Sequence, residues 1–262
     1  MPAAERMPTL KQKKPSKRSS RKLLFLLFLF FITLLFLLFF RSSISKIETI
    51  EISGNHFLTD ATIGQAVRVQ NGDSFFFTSS SAIEQRVRQL PIVKEVKVSK
   101  HFPGKISVAV TEYPQVAVEI STSGNLSVLF ANGSTGALNG NANFSSVPVL
   151  TGWNEADPVK MKLCSILAKI PPEQLSDISE IRPDPSVSYP DKLKIFTRSH
   201  FEVTTTVSFL PGKLETLRTI AARNEPGFIS LLDADTYLPF RRDNAKDNTN
   251  NSPTDTAGKN MN

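Results

Sequence analysis

The first regular pattern in the hydrophobic positions is a continuous run from Leu23 to Phe40. It contains 18 residues, none of them charged, and Thr33 is its one polar side chain. An α-helix of this length rises about 27 Å, which is close to the hydrocarbon thickness of a bilayer. Because a helix on the surface of a soluble protein buries only one face, a helix that is apolar on every side belongs in lipid. The run therefore predicts one transmembrane helix, residues 23–40.

After this run the pattern first alternates and then becomes helical. Lys46–Ser53 alternates, with Ile50 and Ile52 on one face and Thr49 and Glu51 on the other, which is typical of a β-strand. Thr59 is suited to cap a helix, with Leu58 before it placed for a hydrophobic staple. Ser81 and Glu84 have the spacing of a capping box, which predicts the start of a second helix at Ser81.

Two alternating strands follow, joined by a tight turn at Phe102-Pro103-Gly104. The first strand has Val96 and Val98 on one face, and the second alternates between apolar and polar residues from Ile106 to Val110. The resulting order is strand, helix, helix, strand, strand. It predicts one small α+β domain over residues 45–115.

Residues 116–240 show a second pattern, which is rich in short strands. Asp157-Pro158 is suited to begin a helix, and another helix is predicted around Leu214–Ala221. The segment 132–143 is rich in Gly, Asn and Ser and indicates a loop, and the last strand region is Phe228–Phe240. The fold class expected is α+β, with the transmembrane helix, the first domain and a second, β-rich α+β domain. Residues 241–262 have too few apolar side chains for a core and are predicted to be a disordered tail.

The formal net charge of +7 comes entirely from residues before the hydrophobic run. Eight basic residues and one acidic residue precede Leu23, and the remaining 23 basic residues equal the remaining acidic residues in number. This neutral balance argues against a nucleic-acid-binding surface. Because basic residues that flank a span stay in the cytoplasm, residues 1–22 are predicted to be a cytoplasmic tail and the later domains to be extracytoplasmic.

A cleaved signal peptide is the alternative interpretation of the run. Such a peptide has a shorter apolar core, followed by a cleavage site of small residues. Here the run ends at Arg41-Ser42-Ser43-Ile44-Ser45, which is a poor cleavage site. The sequence therefore favours a span that is retained in the membrane.

Residues that could catalyse a reaction or hold a metal are few and scattered. The three histidines, His56, His101 and His200, lack metal-ligand spacing, and no nucleophile or phosphate-binding motif occurs in the sequence. Glu112 ends a strand, where an ion pair or a backbone contact is expected, and Cys164 follows the apolar pattern of a core. We therefore expect no catalytic site, no metal and no cofactor.

The segment Ser74–Ser79, SFFFTS, has two interpretations. Its three phenylalanines either anchor the core beneath the two helices of the first domain or form an exposed patch for a partner. The sequence leaves both open.

The hairpin of the first domain carries a family resemblance. The stretch LPIVKEVKVSKHFPGKISVAVTEYPQVAV has Leu90-Pro91 before the first strand, Phe102-Pro103 at the turn, and Glu112 and Pro114 after the second. Together with the basic tail and the single span, it resembles the bacterial division proteins of the FtsQ/DivIB family. The resemblance implies that the first domain is a POTRA domain.

The resemblance also implies a function without catalysis. Members of the family act at the division septum as scaffolds that regulate septal peptidoglycan synthesis. Their partners are other membrane proteins of the divisome, small coiled-coil proteins of the FtsL and FtsB/DivIC type. No small-molecule substrate is expected.

The predicted partner contacts lie mainly in the last strand region. A strand at the end of a fold is commonly at a sheet edge, where it can pair with a visiting segment. Leu231, Leu232 and Tyr237 are the candidates there, and Ile92 and Lys94 are the candidates at the start of the hairpin.

Two further functions compete with this interpretation. A membrane-anchored POTRA protein of a secretion or envelope-assembly system would have a similar layout, and a plain spacer domain would need no docking site. An exported enzyme would need a catalytic constellation, which the sequence lacks.

Overall fold

A computed structural model of the protein describes residues 21–138, 140, 142, 144 and 146–240. The predicted cytoplasmic tail lies outside these residues, apart from Arg21 and Lys22. The predicted disordered tail, residues 241–262, lies wholly outside them.

The hydrophobic run forms helix α1, Arg21–Arg41. Over the described part of the chain, α1 is the one helix long and apolar enough to cross a membrane. A short 3-10 turn, Ser43–Ser45, follows it. The Ser45 hydroxyl donates to the carbonyl oxygens of Phe40 and Ser42, at 2.8 and 2.9 Å, so the chain leaves the helix along a defined path.

The first domain has the predicted order of elements. Its bounds are β1 (Thr49–Ser53), α2 (Asp60–Val67), α3 (Ser80–Val87), β2 (Val93–His101) and β3 (Lys105–Glu112). β3 is the central strand, parallel to β1 and antiparallel to β2. The buried aliphatic side chains of both helices pack on this sheet and form its core.

The caps of the two helices differ in how well the sequence predicted them. The Thr59 hydroxyl accepts from the Thr62 amide at 3.2 Å, as expected. For α3 the prediction was wrong, because the cap is Ser79, whose hydroxyl accepts from the Ala82 amide at 3.3 Å. Glu84 does not complete a capping box; its carboxylate accepts from the Val98 amide at 2.9 Å and so ties α3 to β2.

The second sheet takes up most of the remaining chain. Its strands in chain order are β4 (Gln115–Ile120), β5 (Leu126–Phe130), β6 (Thr135–Gly136), β7 (Val149–Thr151), β8 (Ile178–Pro183), β9 (Lys192–Thr197), β10 (Glu202–Thr206), β11 (Gly227–Leu231) and β12 (Asp235–Pro239). Three helices accompany them, namely α4 (Pro158–Leu167), α5 (Pro172–Leu175) and α6 (Leu210–Arg223). Within the described residues the strand order is β12-β11-β10-β9-β8-β7-β4-β5-β6.

Two details of this sheet correct the sequence prediction. The last strand region, predicted at Phe228–Phe240, is not a single strand but two, β11 and β12, paired antiparallel as a hairpin. The loop predicted at 132–143 contains the short strand β6, which pairs with β5. The predicted fold class, α+β with an N-terminal apolar helix, is confirmed.

The core of the second domain lies between its sheet and the helices α4 and α6. Leu163 and Leu167 from α4 and Leu214 and Leu217 from α6 belong to the same buried cluster as the inward side chains of the strands. Cys164 is fully buried in this cluster, as predicted.

Beside this core lies a buried ion pair. The Lys160 ammonium is 2.7 Å from the Glu119 carboxylate, and only 1% and 7% of the two side chains are exposed. Glu119 lies on β4, between β7 and β5, so the pair joins α4 to an inner strand of the sheet.

The two domains meet in a small apolar interface. Ile92, Val128 and Phe130 are buried together, and the Phe57 ring contacts the Phe130 ring edge to face with centroids 4.9 Å apart. The Asn132 side chain donates to the Pro91 carbonyl oxygen at 2.9 Å. These contacts hold the first domain against the second at the point where β3 continues into β4.

Candidate partner-docking edge

The β11–β12 hairpin forms one edge of the second sheet, because β12 is its outermost described strand on that side. Three side-chain contacts hold the hairpin in place. Lys213 on α6 lies 2.7 Å from the Asp235 carboxylate, and the Tyr237 hydroxyl donates to the Glu225 carbonyl oxygen at 2.7 Å. The Tyr189 hydroxyl donates to Asp233 in the turn between the two strands. The edge is thus a fixed feature of the fold.

Alternation along β11 separates a core face from an outer face. Ile229 and Leu231 point into the core, while Phe228, between Gly227 and Ile229, is 46% exposed. On β12, Leu238 pairs with Phe228 and is 65% exposed. Phe240 contacts Phe228 edge to face, with ring centroids 4.7 Å apart. We call Phe228, Leu238 and Phe240 the edge patch.

The backbone of β12 has a definite outward side. The Phe240 amide donates to the Pro226 carbonyl oxygen at 3.2 Å. Because hydrogen-bonded and non-bonded residue pairs alternate in an antiparallel ladder, Leu238 bonds to β11 and Tyr237 directs its N–H and C=O away from β11. Pro239 also lies at an outward position, where a missing N–H breaks no bond of the sheet.

Charged residues cover the neighbouring part of the same outer face. Lys194 pairs with Glu202, and the Arg182 guanidinium lies 2.7 Å from the Glu180 carboxylate and 5.0 Å from the centre of the Phe196 ring. Partial burial acts to raise the pKa of Glu180, but hydrogen bonds from Arg182 and Thr151 outweigh it and lower that pKa. The edge patch is therefore an apolar area at the border of a charged face.

The predicted contact residues occupy different positions from this patch. Leu231 is 2% exposed and lies in the core, Leu232 is half-buried in the turn, and Tyr237 is half-buried with its ring 6.4 Å from that of Phe201. In the first domain, Ile92 is 5% exposed within the interface between the domains. Lys94 is exposed, where the pairing of β2 with β3 is irregular.

Sequence reasoning therefore missed the edge patch. The signal was the period of two in β11: if Ile229 and Leu231 face the core, Phe228 must face outward. That step requires knowing that the other face of the strand has no covering layer, and the sequence does not show this. A partner role for Leu231, Leu232, Tyr237, Ile92 and Lys94 stays a prediction.

The candidate chemical groups serve the fold. The Glu112 carboxylate accepts from the backbone amides of His56, Phe57 and Leu58 at 3.1, 2.9 and 2.9 Å, which confirms the expected backbone contact. Burial raises the pKa of the Cys164 thiol to about 12, although the nearby Lys160 acts to lower it. No group of three or more His, Cys, Asp or Glu side chains in the described part of the chain could hold a metal ion.

Comparison with known proteins assigns the first domain. A family model described as "POTRA domain, FtsQ-type" matches residues 45–113. The class of protein is therefore one with a single apolar N-terminal helix, an FtsQ-type POTRA domain and a further β-rich region.

Relatives that match about four fifths of the chain are named as cell division proteins. The chain is 41% identical to the cell division protein DivIB of Paenibacillus polymyxa over 207 residues, covering 79% of this chain and 82% of that one. It is 32% identical to DivIB of Bacillus cytotoxicus over 210 residues, covering 79% and 81%. This chain belongs to the DivIB family of cell division proteins.

A solved structure also matches part of the chain. It is the major extracytoplasmic domain of DivIB from Geobacillus stearothermophilus, in its trans isomer. The match has 26% identity and a TM-score of 0.36, and it covers 43% of this chain and 93% of that one.

Proposed function

We propose that this protein is a non-catalytic scaffold of the division machinery that recruits small coiled-coil membrane proteins of the FtsL and FtsB/DivIC type at the septum. By holding these partners it regulates septal peptidoglycan synthesis. Membership in the DivIB family supports the division role. The observation that carries the docking step is the edge patch beside the outward backbone of β12.

The proposed topology is one span, with the N-terminus in the cytoplasm and both domains outside. The support is the excess of eight basic residues over one acidic residue before Leu23. With this orientation the domains lie on the side where the cell wall is made, within reach of the outer parts of other single-pass proteins.

Docking at β12 would combine two kinds of contact. The outward N–H and C=O groups of Tyr237 would pair with an extended segment of the partner and supply main-chain hydrogen bonds. The edge patch would take up apolar side chains of that segment, which removes Phe228, Leu238 and Phe240 from water. The charged pairs on the neighbouring face would border the contact and restrict its register.

The contacts of the two side chains considered for chemistry, Glu112 and Cys164, agree with a scaffold that does not catalyse a reaction. Glu112 holds three backbone amides in the first domain, and Cys164 is buried in the core of the second. Both have structural roles in the described residues.

The test is capture of membrane proteins by the full chain, solubilised in mild detergent from its own cells. We expect Phe228→Ser combined with Leu238→Ser to abolish capture of the coiled-coil proteins, because two of the three exposed side chains of the patch lose their apolar surface. Leu126→Ser is the matched control, since Leu126 is 52% exposed but lies on β5, near the opposite edge of the sheet.

Three outcomes can be told apart by mass spectrometry of the captured proteins and by circular dichroism. Loss of the coiled-coil proteins from the folded double variant alone supports the docking site. Equal capture by wild type and double variant refutes it. Capture of secretion or envelope-assembly components in place of division proteins would refute the proposed function as a whole.

A further inference from the structure

A cluster of phenylalanines lies where α1 meets the first domain. Phe39 and Phe40 belong to the last turn of α1, Phe76 and Phe77 to the segment between α2 and α3, and Phe102 to the turn between β2 and β3. We call Phe76, Phe77 and Phe102 the aromatic pad. These three residues come from two different loops of the first domain, which the fold brings together.

The pad is in direct contact with the end of the helix. The Phe40 ring stacks on the Phe77 ring with centroids 5.5 Å apart, and the Phe39 and Phe76 rings are 5.6 Å apart. Phe76 in turn lies 6.1 Å from Phe102. The aromatic surface of the helix therefore continues without a break onto the domain.

The pad is exposed, whereas its neighbour in sequence is not. Phe77, Phe102 and Phe76 are 80%, 58% and 44% exposed. Phe75 is 5% exposed, packs in the core of the first domain and has the Lys100 ammonium 4.6 Å above its ring. Both interpretations of SFFFTS therefore hold for part of the segment: Phe75 anchors the core, and Phe76 and Phe77 belong to an exposed patch.

Backbone hydrogen bonds fix the pad at the end of the helix. The Phe75 amide donates to the Ser45 carbonyl oxygen at 2.9 Å, and the Ile47 amide donates to the Asp73 carbonyl oxygen at 2.8 Å. The segment that carries the pad is thus paired with the few residues that link α1 to β1. Since Ser45 is itself bonded to Phe40, helix, linker and pad are joined without a flexible spacer.

An apolar surface at this position has one evident neighbour. A helix that crosses a bilayer ends near the boundary between hydrocarbon and headgroups, so side chains level with Phe39 and Phe40 lie at that boundary. Large exposed apolar patches on a folded domain mark interaction sites for proteins or membranes. Because the pad is continuous with the lipid-facing surface of α1, the membrane is favoured over a protein as the surface that the pad contacts.

We propose that the aromatic pad inserts into the bilayer boundary at the end of α1, so that the first domain rests on the membrane in one orientation. The ligand is the lipid itself, the acyl-chain region just beneath the headgroups. The inference rests on α1 crossing the membrane and does not depend on which partner binds at β12. It assigns the pad a role in setting how far the β12 edge lies from the bilayer.

The test is fluorescence quenching by lipid in the full chain, reconstituted in vesicles of phosphatidylglycerol and phosphatidylethanolamine with bromine on the acyl chains. The chain has a single tryptophan, Trp153, which is 3% exposed in the core of the second domain. Phe77→Trp and, separately, Phe102→Trp report on the pad. Val187→Trp is the exposed control away from the pad, and Leu34→Trp is the control within α1.

We expect both pad tryptophans to lose most of their added fluorescence in bromolipid vesicles and to emit at shorter wavelength than Val187→Trp. Bromine near the headgroup should quench them more than bromine near the chain end, and Leu34→Trp should show the opposite preference. Circular dichroism checks that each variant folds.

Two results would overturn the proposal in different ways. If Leu34→Trp is quenched while both pad tryptophans behave like Val187→Trp, the helix is in the membrane and the pad faces something else. If Leu34→Trp is also unquenched, α1 does not lie in lipid and the membrane topology fails together with the pad.

Discussion

At the scale of single residues, the loss of Lys160 should strongly destabilise the second domain, because its ammonium is buried beside the Glu119 carboxylate. Removing its side chain leaves the Glu119 carboxylate buried without a partner, which costs about 3–5 kcal/mol of the free energy of unfolding. We expect Lys160→Met to be destabilised by this amount, measured by urea unfolding of the full chain in detergent with Trp153 fluorescence as the signal. Adding Glu119→Leu should recover most of the loss, because no uncompensated charge then remains.

The matched control for Lys160 is Lys213, whose partner Asp235 is partly exposed. Because water screens an exposed pair, Lys213→Met should cost about 1 kcal/mol or less. If Lys160→Met and Lys213→Met lowered the free energy of unfolding equally, breaking the buried ion pair would cost no more than breaking the exposed one.

The Cys164 thiol gives a second prediction for a single residue, and it depends on pH. Its pKa is raised to about 12 by burial, and the thiolate is the form that reacts. At any pH below the ordinary pKa of a cysteine, the thiolate fraction of folded Cys164 is therefore about a thousandfold smaller than that of an exposed cysteine. Burial also keeps the reagent away from the sulfur, which slows the reaction further. We expect maleimide to label native Cys164 far more slowly than it labels the urea-unfolded chain at pH 7.5, and rapid labelling of the native protein would contradict the burial.

At the scale of one element, the proposed docking at β12 predicts that the partner pairs with the backbone of this strand. Tyr237→Ala removes the ring and keeps the outward N–H, whereas Tyr237→Pro removes both. If the partner adds a strand, the proline variant should bind more weakly than the alanine variant, by about tenfold or less for one hydrogen bond. Affinity is measured by biolayer interferometry with the captured coiled-coil protein.

The two Tyr237 variants also serve as each other's control for stability. Both lose the hydrogen bond to the Glu225 carbonyl oxygen, so their thermal unfolding should be similar. Equal affinities at equal stability would mean that docking uses the side chains of the edge patch alone.

For the whole molecule, the topology can be tested with the native cysteine left in place, because Cys164 is buried. We expect Val187→Cys to react with a membrane-impermeant maleimide on intact protoplasts, since Val187 is fully exposed on the second domain. Ser16→Cys, in the basic segment before the span, should react only after lysis. The reverse pattern would place the domains in the cytoplasm and contradict the proposed function.

Much of the fold could be predicted because its signals are local. The apolar run, the Thr59 and Asp157 caps and the alternation in the β2–β3 hairpin each lie within a window of a few residues. Within such a window, helix capping and side-chain periodicity decide the element, and few distant contacts compete with them. The family resemblance also depends on one contiguous stretch and could be recognised before any contact was known.

Other features could not be predicted from the sequence, because they depend on which surfaces are covered once the chain is folded. Glu84 had two possible acceptor roles, and the approach of β2 chose the bond to Val98 over the capping box. The three phenylalanines of SFFFTS are adjacent residues of the same type, so the sequence does not tell them apart. The packing of the first domain buries Phe75 and leaves Phe76 and Phe77 beside α1. The edge patch also depends on tertiary structure: Phe228 is exposed because no other layer covers that face of β11. Local patterns in the sequence thus predicted the span, the order of elements in the first domain and the family, while tertiary contacts decided which side chains face outward, since exposure depends on neighbours that are distant in the chain.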